Sequence, residues 1–75
     1  MAFSKSELTN ADQRITRTRD RLERQRELIQ KLAEEGQDTN DAEALFKSLR
    51  MALETLEDER RQIEDELFAA KAHRE

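Results

Sequence analysis

Six arginines stand at positions 14, 17, 19, 21, 24 and 26, within the stretch DQRITRTRDRLERQRE. Guanidinium groups at this density are what a protein uses to track a phosphate backbone. With 3.6 residues per turn, Arg14, Arg17, Arg21 and Arg24 share one helical face, while Arg19 and Arg26 border the other side of an apolar stripe. Asp12, Asp20, Glu23 and Glu27 are interleaved, however, and the later segment ETLEDERRQIEDE carries seven acids against two arginines. Opposite charges flanking an apolar seam set partner and orientation in coiled coils. Intramolecular pairing is therefore the simpler account of the stripe, with nucleic-acid contact through Arg14, Arg17, Arg21 and Arg24 as the alternative. A formal charge of −4 argues against broad attraction to nucleic acid or anionic lipid.

Other chemistries find less support. The acidic stretch GQDTNDAE lacks the alternating ligands, central glycine and twelfth-position glutamate of a calcium-binding EF-hand loop. Asp38, Thr39 and Asn40 are better read as helix caps. His73 is the sole histidine and there is no cysteine, so neither a zinc site nor a thiolate nucleophile is expected. The carboxylates of the second half sit on solvated helix faces without a concave pocket, unlike a glycosidase pair. No catalytic, cofactor-binding or metal-binding residues are expected, and the chain reads as a non-enzyme.

The elements behind these side chains are helices. Charged residues make up 43% of 75 positions, and strong helix formers dominate. Leu8, Ile15, Leu22 and Ile29 recur every seven residues, with Ala11, Thr18, Gln25 and Leu32 in the companion line. Later, Ala42, Leu45, Leu49, Ala52, Leu56, Ile63 and Ala70 keep the three–four spacing, with Glu59 and Glu66 filling gaps. Phe46, Leu53, Arg60 and Leu67 form a second line beside them. Continuing the first repeat through Gly36 meets Glu43, Arg50 and Glu57, so the apolar phase breaks at the only glycine of a chain without proline. Gly36 follows Leu32 and Ala33 as a helix end requires, and Asn40 with Glu43 has the spacing of a capping pair.

The fold expected is all-α: an antiparallel, coiled-coil-like hairpin with helices over about residues 6–35 and 40–73 and a turn at 36–39. Folding about residue 38 sets Leu32 near Leu45, Ile29 and Leu28 near Phe46 and Leu49, Leu22 near Leu53 and Leu56, Ile15 near Ile63, Leu8 near Leu67, and Arg60 roughly level with Thr18. The apolar face of the second helix spans roughly 100°, wider than the stripe of the first. A homodimer closing a four-helix bundle, with the second helix nearest the axis, covers the remainder. The interface set is Leu22, Ile29, Phe46, Leu49, Leu53, Leu56, Arg60, Ile63 and Leu67. Arg60 either covers apolar surface with its stem or forms a register-setting polar layer with Glu57 or Glu59, of the same chain or of a second copy. No apolar stretch reads as a signal peptide or membrane span, so a cytoplasmic location is the default.

Residues 24–49, RQRELIQKLAEEGQDTNDAEALFKSL, resemble the central segment of small uncharacterised helical-hairpin proteins of proteobacteria. The matching positions are Arg24, Gln25, Arg26, Leu28, Ile29, Leu32, Gly36, Asp38, Thr39, Ala42, Leu45 and Leu49. Phe46 stands where that pattern has a second leucine. The resemblance covers about a third of the chain and implies a bacterial cytoplasmic helical protein, without bringing an activity. The function expected is a structural or adaptor module that self-associates. A nucleic-acid accessory protein and a small regulator docking a different protein are the alternatives.

Overall fold

The structure is a computed structural model that describes residues 5–72. It consists of two helices, α1 (Lys5–Glu34) and α2 (Asn40–Ala72), packed antiparallel against each other. Their 30 and 33 residues correspond to about 45 and 50 Å at 1.5 Å per residue. The expected boundaries agree to within a residue; position 73 lies outside the described residues.

The reversal is built from backbone hydrogen bonds. Gln37 N–H donates to the Leu32 carbonyl at 2.8 Å and Gly36 N–H to the Ala33 carbonyl at 3.1 Å. These are the paired bonds of a Schellman ending, and Gly36 supplies the left-handed residue it needs, with φ at +72°. The start of α2 differs from the expected Asn40 cap. Thr39 occupies the cap position: its carbonyl accepts the Glu43 N–H at 2.8 Å, and its hydroxyl donates to the Glu43 carboxylate at 2.5 Å. Asp38 Oδ1 accepts the Asn40 N–H at 2.9 Å. Asn40 is thus the first helical residue, and the polar cluster DTN closes the turn one position earlier than its spacing suggested.

The seam follows strict heptads on both helices. On α1 both expected lines point inward: Leu8, Ala11, Ile15, Thr18, Leu22, Gln25, Ile29 and Leu32 are all half-buried or buried. The polar members are satisfied locally. Thr18 Oγ1 donates to the Arg14 carbonyl at 2.9 Å, and Gln25 Nε2 crosses the seam to the Ala42 carbonyl at 2.9 Å. On α2 the inward set is Ala42, Phe46, Leu49, Leu53, Leu56, Arg60, Ile63 and Leu67. Leu45 and Ala52 are exposed, which corrects the expected first line of α2. The sequence held two overlapping three–four patterns there, and packing against the narrow α1 stripe selects the one carrying Phe46 and Leu53.

The level expected for Arg60 is the one that differs. Arg60 pairs with Asp12 and lines a groove with Ile15, so it stands beyond Thr18, toward the open end of the hairpin. Arg19 meets Glu57, the pairing that folding about residue 38 gives, so the difference is confined to where the long Arg60 side chain reaches. Leu22 and Leu53 still share a groove, together with Phe46.

The hairpin is a rod. Its principal extents are 62 × 15 × 14 Å and its radius of gyration is 17.4 Å, where a compact chain of this length has about 11 Å. Among the described residues only Ala11, Ile15 and Ile63 are buried, at 8, 5 and 9% exposure, and no side chain is fully enclosed. Two helices side by side form a single layer, so each seam residue keeps one side open to solvent.

Nothing lies within 4 Å of a methyl group added at Gly36, so only backbone strain opposes a side chain there. Gly36→Ala should lower unfolding free energy by about 1–2 kcal/mol, the left-handed penalty, and Gly36→Asn by less. Urea titration followed by circular dichroism measures both; equal stability of Gly36→Ala and wild type would contradict this account of the turn.

Candidate interaction surfaces of the hairpin

The seam divides the rod surface into two flanks of different chemistry. One flank carries Asp12, Arg19, Arg26, Arg50, Glu57, Arg60 and Glu64 around two adjoining grooves. The other carries Glu7, Asn10, Arg14, Glu59 and Gln62 around a groove whose walls include Ala11, Leu56 and Ile63.

On the first flank Arg60 leaves the seam. Its stem lies between Leu53 and Leu67 in the inward line, with its side chain 33% exposed, and its head reaches Asp12 across the hairpin and Glu64 one turn on at 3.4 Å. The hydrogen bond to Asp12, then that carboxylate's charge, raises the guanidinium pKa further above its ordinary value, leaving the group cationic at any physiological pH. Within the hairpin its partners are not Glu57 or Glu59 of the same chain. Glu57 instead accepts from Arg19 Nη2 at 2.9 Å. Both cross-helix pairs are half-exposed, so each selects geometry more than it stabilises. Beside them, Arg19, Arg26 and Arg50 rim a shallow groove floored by Leu22, Phe46 and Leu53, with Glu23 the one acid there.

The arginine stripe is mostly not paired within the hairpin, contrary to the simpler account from sequence. Among the described residues, only Arg19 of the six forms an ion pair; Arg14, Arg17, Arg21, Arg24 and Arg26 have none. Counting charges along a segment hid how they divide around the helix. Arg14 and Arg21 lie on the second flank, where residues seven apart on α2 read Leu45, Ala52, Glu59 and Glu66. Glu57 and Glu64 lie on the first flank.

All nine residues of the expected interface, Leu22, Ile29, Phe46, Leu49, Leu53, Leu56, Arg60, Ile63 and Leu67, line the hairpin's own seam and are half-buried or buried. The large apolar side chains left exposed are others: Leu28 at 43%, Leu45 at 49%, Met51 at 61% and Phe68 at 75%. Sequence reasoning placed both inward, Leu45 against Leu32 and Leu28 with Ile29 against Phe46 and Leu49; their exposure corrects this. The signal that separates them is position: each precedes its inward neighbour, Ile29 or Phe46, by one residue and so sits at the seam's edge.

Among the described residues there is no grouping of three or more His, Cys, Asp or Glu side chains placed to hold a metal ion. No helix among them is long and apolar enough to cross a membrane. No family model, curated protein or solved structure matches the chain.

Arg60 interrupts an otherwise apolar line, and Asp12 is half-exposed at 52%, so losing their pair leaves a solvated carboxylate at little cost. Arg60→Leu should hold or raise the melting temperature while admitting alternative registers. Two or more amide NMR signals for residues near positions 12 and 60 are the expected result; a single sharp set would reduce Arg60 to a cover for apolar neighbours.

Proposed function

We propose that the protein is a non-enzymatic helical hairpin that self-associates as a homodimer into a four-helix bundle, serving as a structural or adaptor interaction module in the cytoplasm. The observation that carries this reading is the thinness of the hairpin's own core: three buried side chains and none fully enclosed among the described residues. Below about 70–80 residues a core rarely stabilises a chain by more than a few kcal/mol, and oligomerisation is one of the common remedies.

The surface area points the same way. The chain exposes 6258 Å², whereas a compact monomer of 8.9 kDa exposes about 4,800 Å². A standard interface removes about 800 Å² per partner, a substantial part of that excess. The grooves are shallow, open and rimmed by exposed charges, which suits helix docking better than enclosing a small substrate.

The unpaired Arg14, Arg17, Arg21 and Arg24 favour a second reading, accessory binding of nucleic acid. The two readings separate in solution. Light scattering after size exclusion, across a dilution series, should give twice the chain mass for a self-associating hairpin. A helical monomer at all concentrations would contradict it and leave the exposed leucines for a different protein. A salt-dependent mobility shift with DNA or RNA, lost when the four arginines become glutamine, would instead support the nucleic-acid reading.

A further inference from the structure

Charge and apolar groups are arranged unequally on the two flanks, and the inequality selects both a docking surface and an orientation. Arg14 of α1 and Glu59 of α2 line one groove with Ala11, Leu56 and Ile63, so they stand at one level on the second flank. Two heptads nearer the turn on each helix lie Leu28 and Leu45, the exposed leucines. Residues fourteen apart keep the same side of a heptad seam, so these leucines share that flank and are level with each other. Between the two levels stand Arg21 and Ala52. Read from the turn outward, the flank is leucine on both helices, then arginine beside alanine, then arginine beside glutamate.

We infer that a second copy of this chain docks on the flank bearing Leu28, Leu45, Arg14 and Glu59, related by a two-fold axis along the rod so that both turns lie at the same end. This rests on the self-association proposed above and specifies its geometry. Such an axis sets α1 of one copy against α2 of the other while preserving level. Leu28 then meets Leu45 of the second copy, Arg21 meets the small Ala52, and Arg14 meets Glu59, each twice. Neither Arg14 nor Glu59 is engaged in an ion pair within the hairpin, among the described residues. Exposed leucines gain a desolvated partner, and opposite charges fall at the rim of the contact.

The alternatives fail on the same residues. Docking through the first flank with this symmetry sets Arg26 against Arg50 and Asp12 against Glu64, like charges at two levels. An axis across the rod, with turns at opposite ends, sets the leucines against the arginine and glutamate levels, or else overlaps only the turn regions. The weak point of the selected arrangement is the open end, where Glu7 and Glu66 share a level; the contact is closest from the turn to Arg14. Met51 and Phe68 lie outside it.

The test uses the full chain, which has no cysteine of its own. Gln37 is exposed at the turn, and a spin label on Gln37→Cys reads orientation by pulsed dipolar spectroscopy. Turns at one end give a label separation of about 20–30 Å, two or three interhelical spacings; turns at opposite ends give one approaching the 62 Å rod. Arg14→Glu alone should raise the dimer dissociation constant about tenfold, two rim pairs being lost, and Arg14→Glu with Glu59→Arg should restore it. A dimer with the long separation, or one indifferent to both charge changes, overturns this geometry and leaves self-association standing. A monomeric wild type overturns both.

Discussion

The backbone reversal at Gly36 is the constraint from which the other relations follow. Two bonds, from Gln37 to Leu32 and from Gly36 to Ala33, end α1 and settle the point about which the chain folds back. That point decides which level of α1 stands beside which level of α2. A helix–helix seam without a disulfide or metal has no other covalent or coordinate bond to hold register. A pivot placed two residues away would slide one helix along the other by about a turn and bring other side chains together. Glycine is suited to the position because its φ of +72° strains any residue with a Cβ.

From that register follows a seam that is regular but thin. Helix α1 supplies alternating large and small or polar positions, with Ala11, Thr18 and Gln25 facing Ile15, Leu22 and Ile29 along the same stripe. Small and self-satisfied residues let the helices approach without leaving an orphan polar group, and no buried side-chain nitrogen or oxygen among the described residues lacks a partner. The limitation is geometric. A single layer of two helices has no third element to cover the seam's open sides, so apolar residues remain half-exposed even where the pattern is perfect. Assembly is the physical remedy for a shape that no choice of seam residues can enclose.

Electrostatics then acts by position around each helix rather than by total charge. Arg19 and Glu57 fall on one flank and meet; Arg14 and Arg21 fall on the other, where the acids of α2 are sparse and near the open end. Pairs exposed to water contribute little free energy individually, yet their placement discriminates between docking geometries because like charges at one level oppose contact. Arg60 links the two roles, covering the seam with its stem while its head joins Asp12 and Glu64 on the flank.

Much of the fold was legible in the residues alone. Helix formers throughout, one glycine at the break in apolar phase, and cap residues directly after it determine two helices and a turn, because these are local properties of the backbone. The α1 stripe was also readable, since only one heptad line fits its large residues. On α2 two overlapping lines were available, and the choice of Phe46, Leu53, Arg60 and Leu67 over Leu45 and Ala52 belonged to the tertiary structure: it depends on the width of the stripe opposite. The cap at Thr39 rather than Asn40, the partnership of Arg60 with Asp12, and the arginines left without acids were likewise decided only on folding. Composition along a segment determines how many charges are present, but the rotation and register of one helix against another determine which of them can meet.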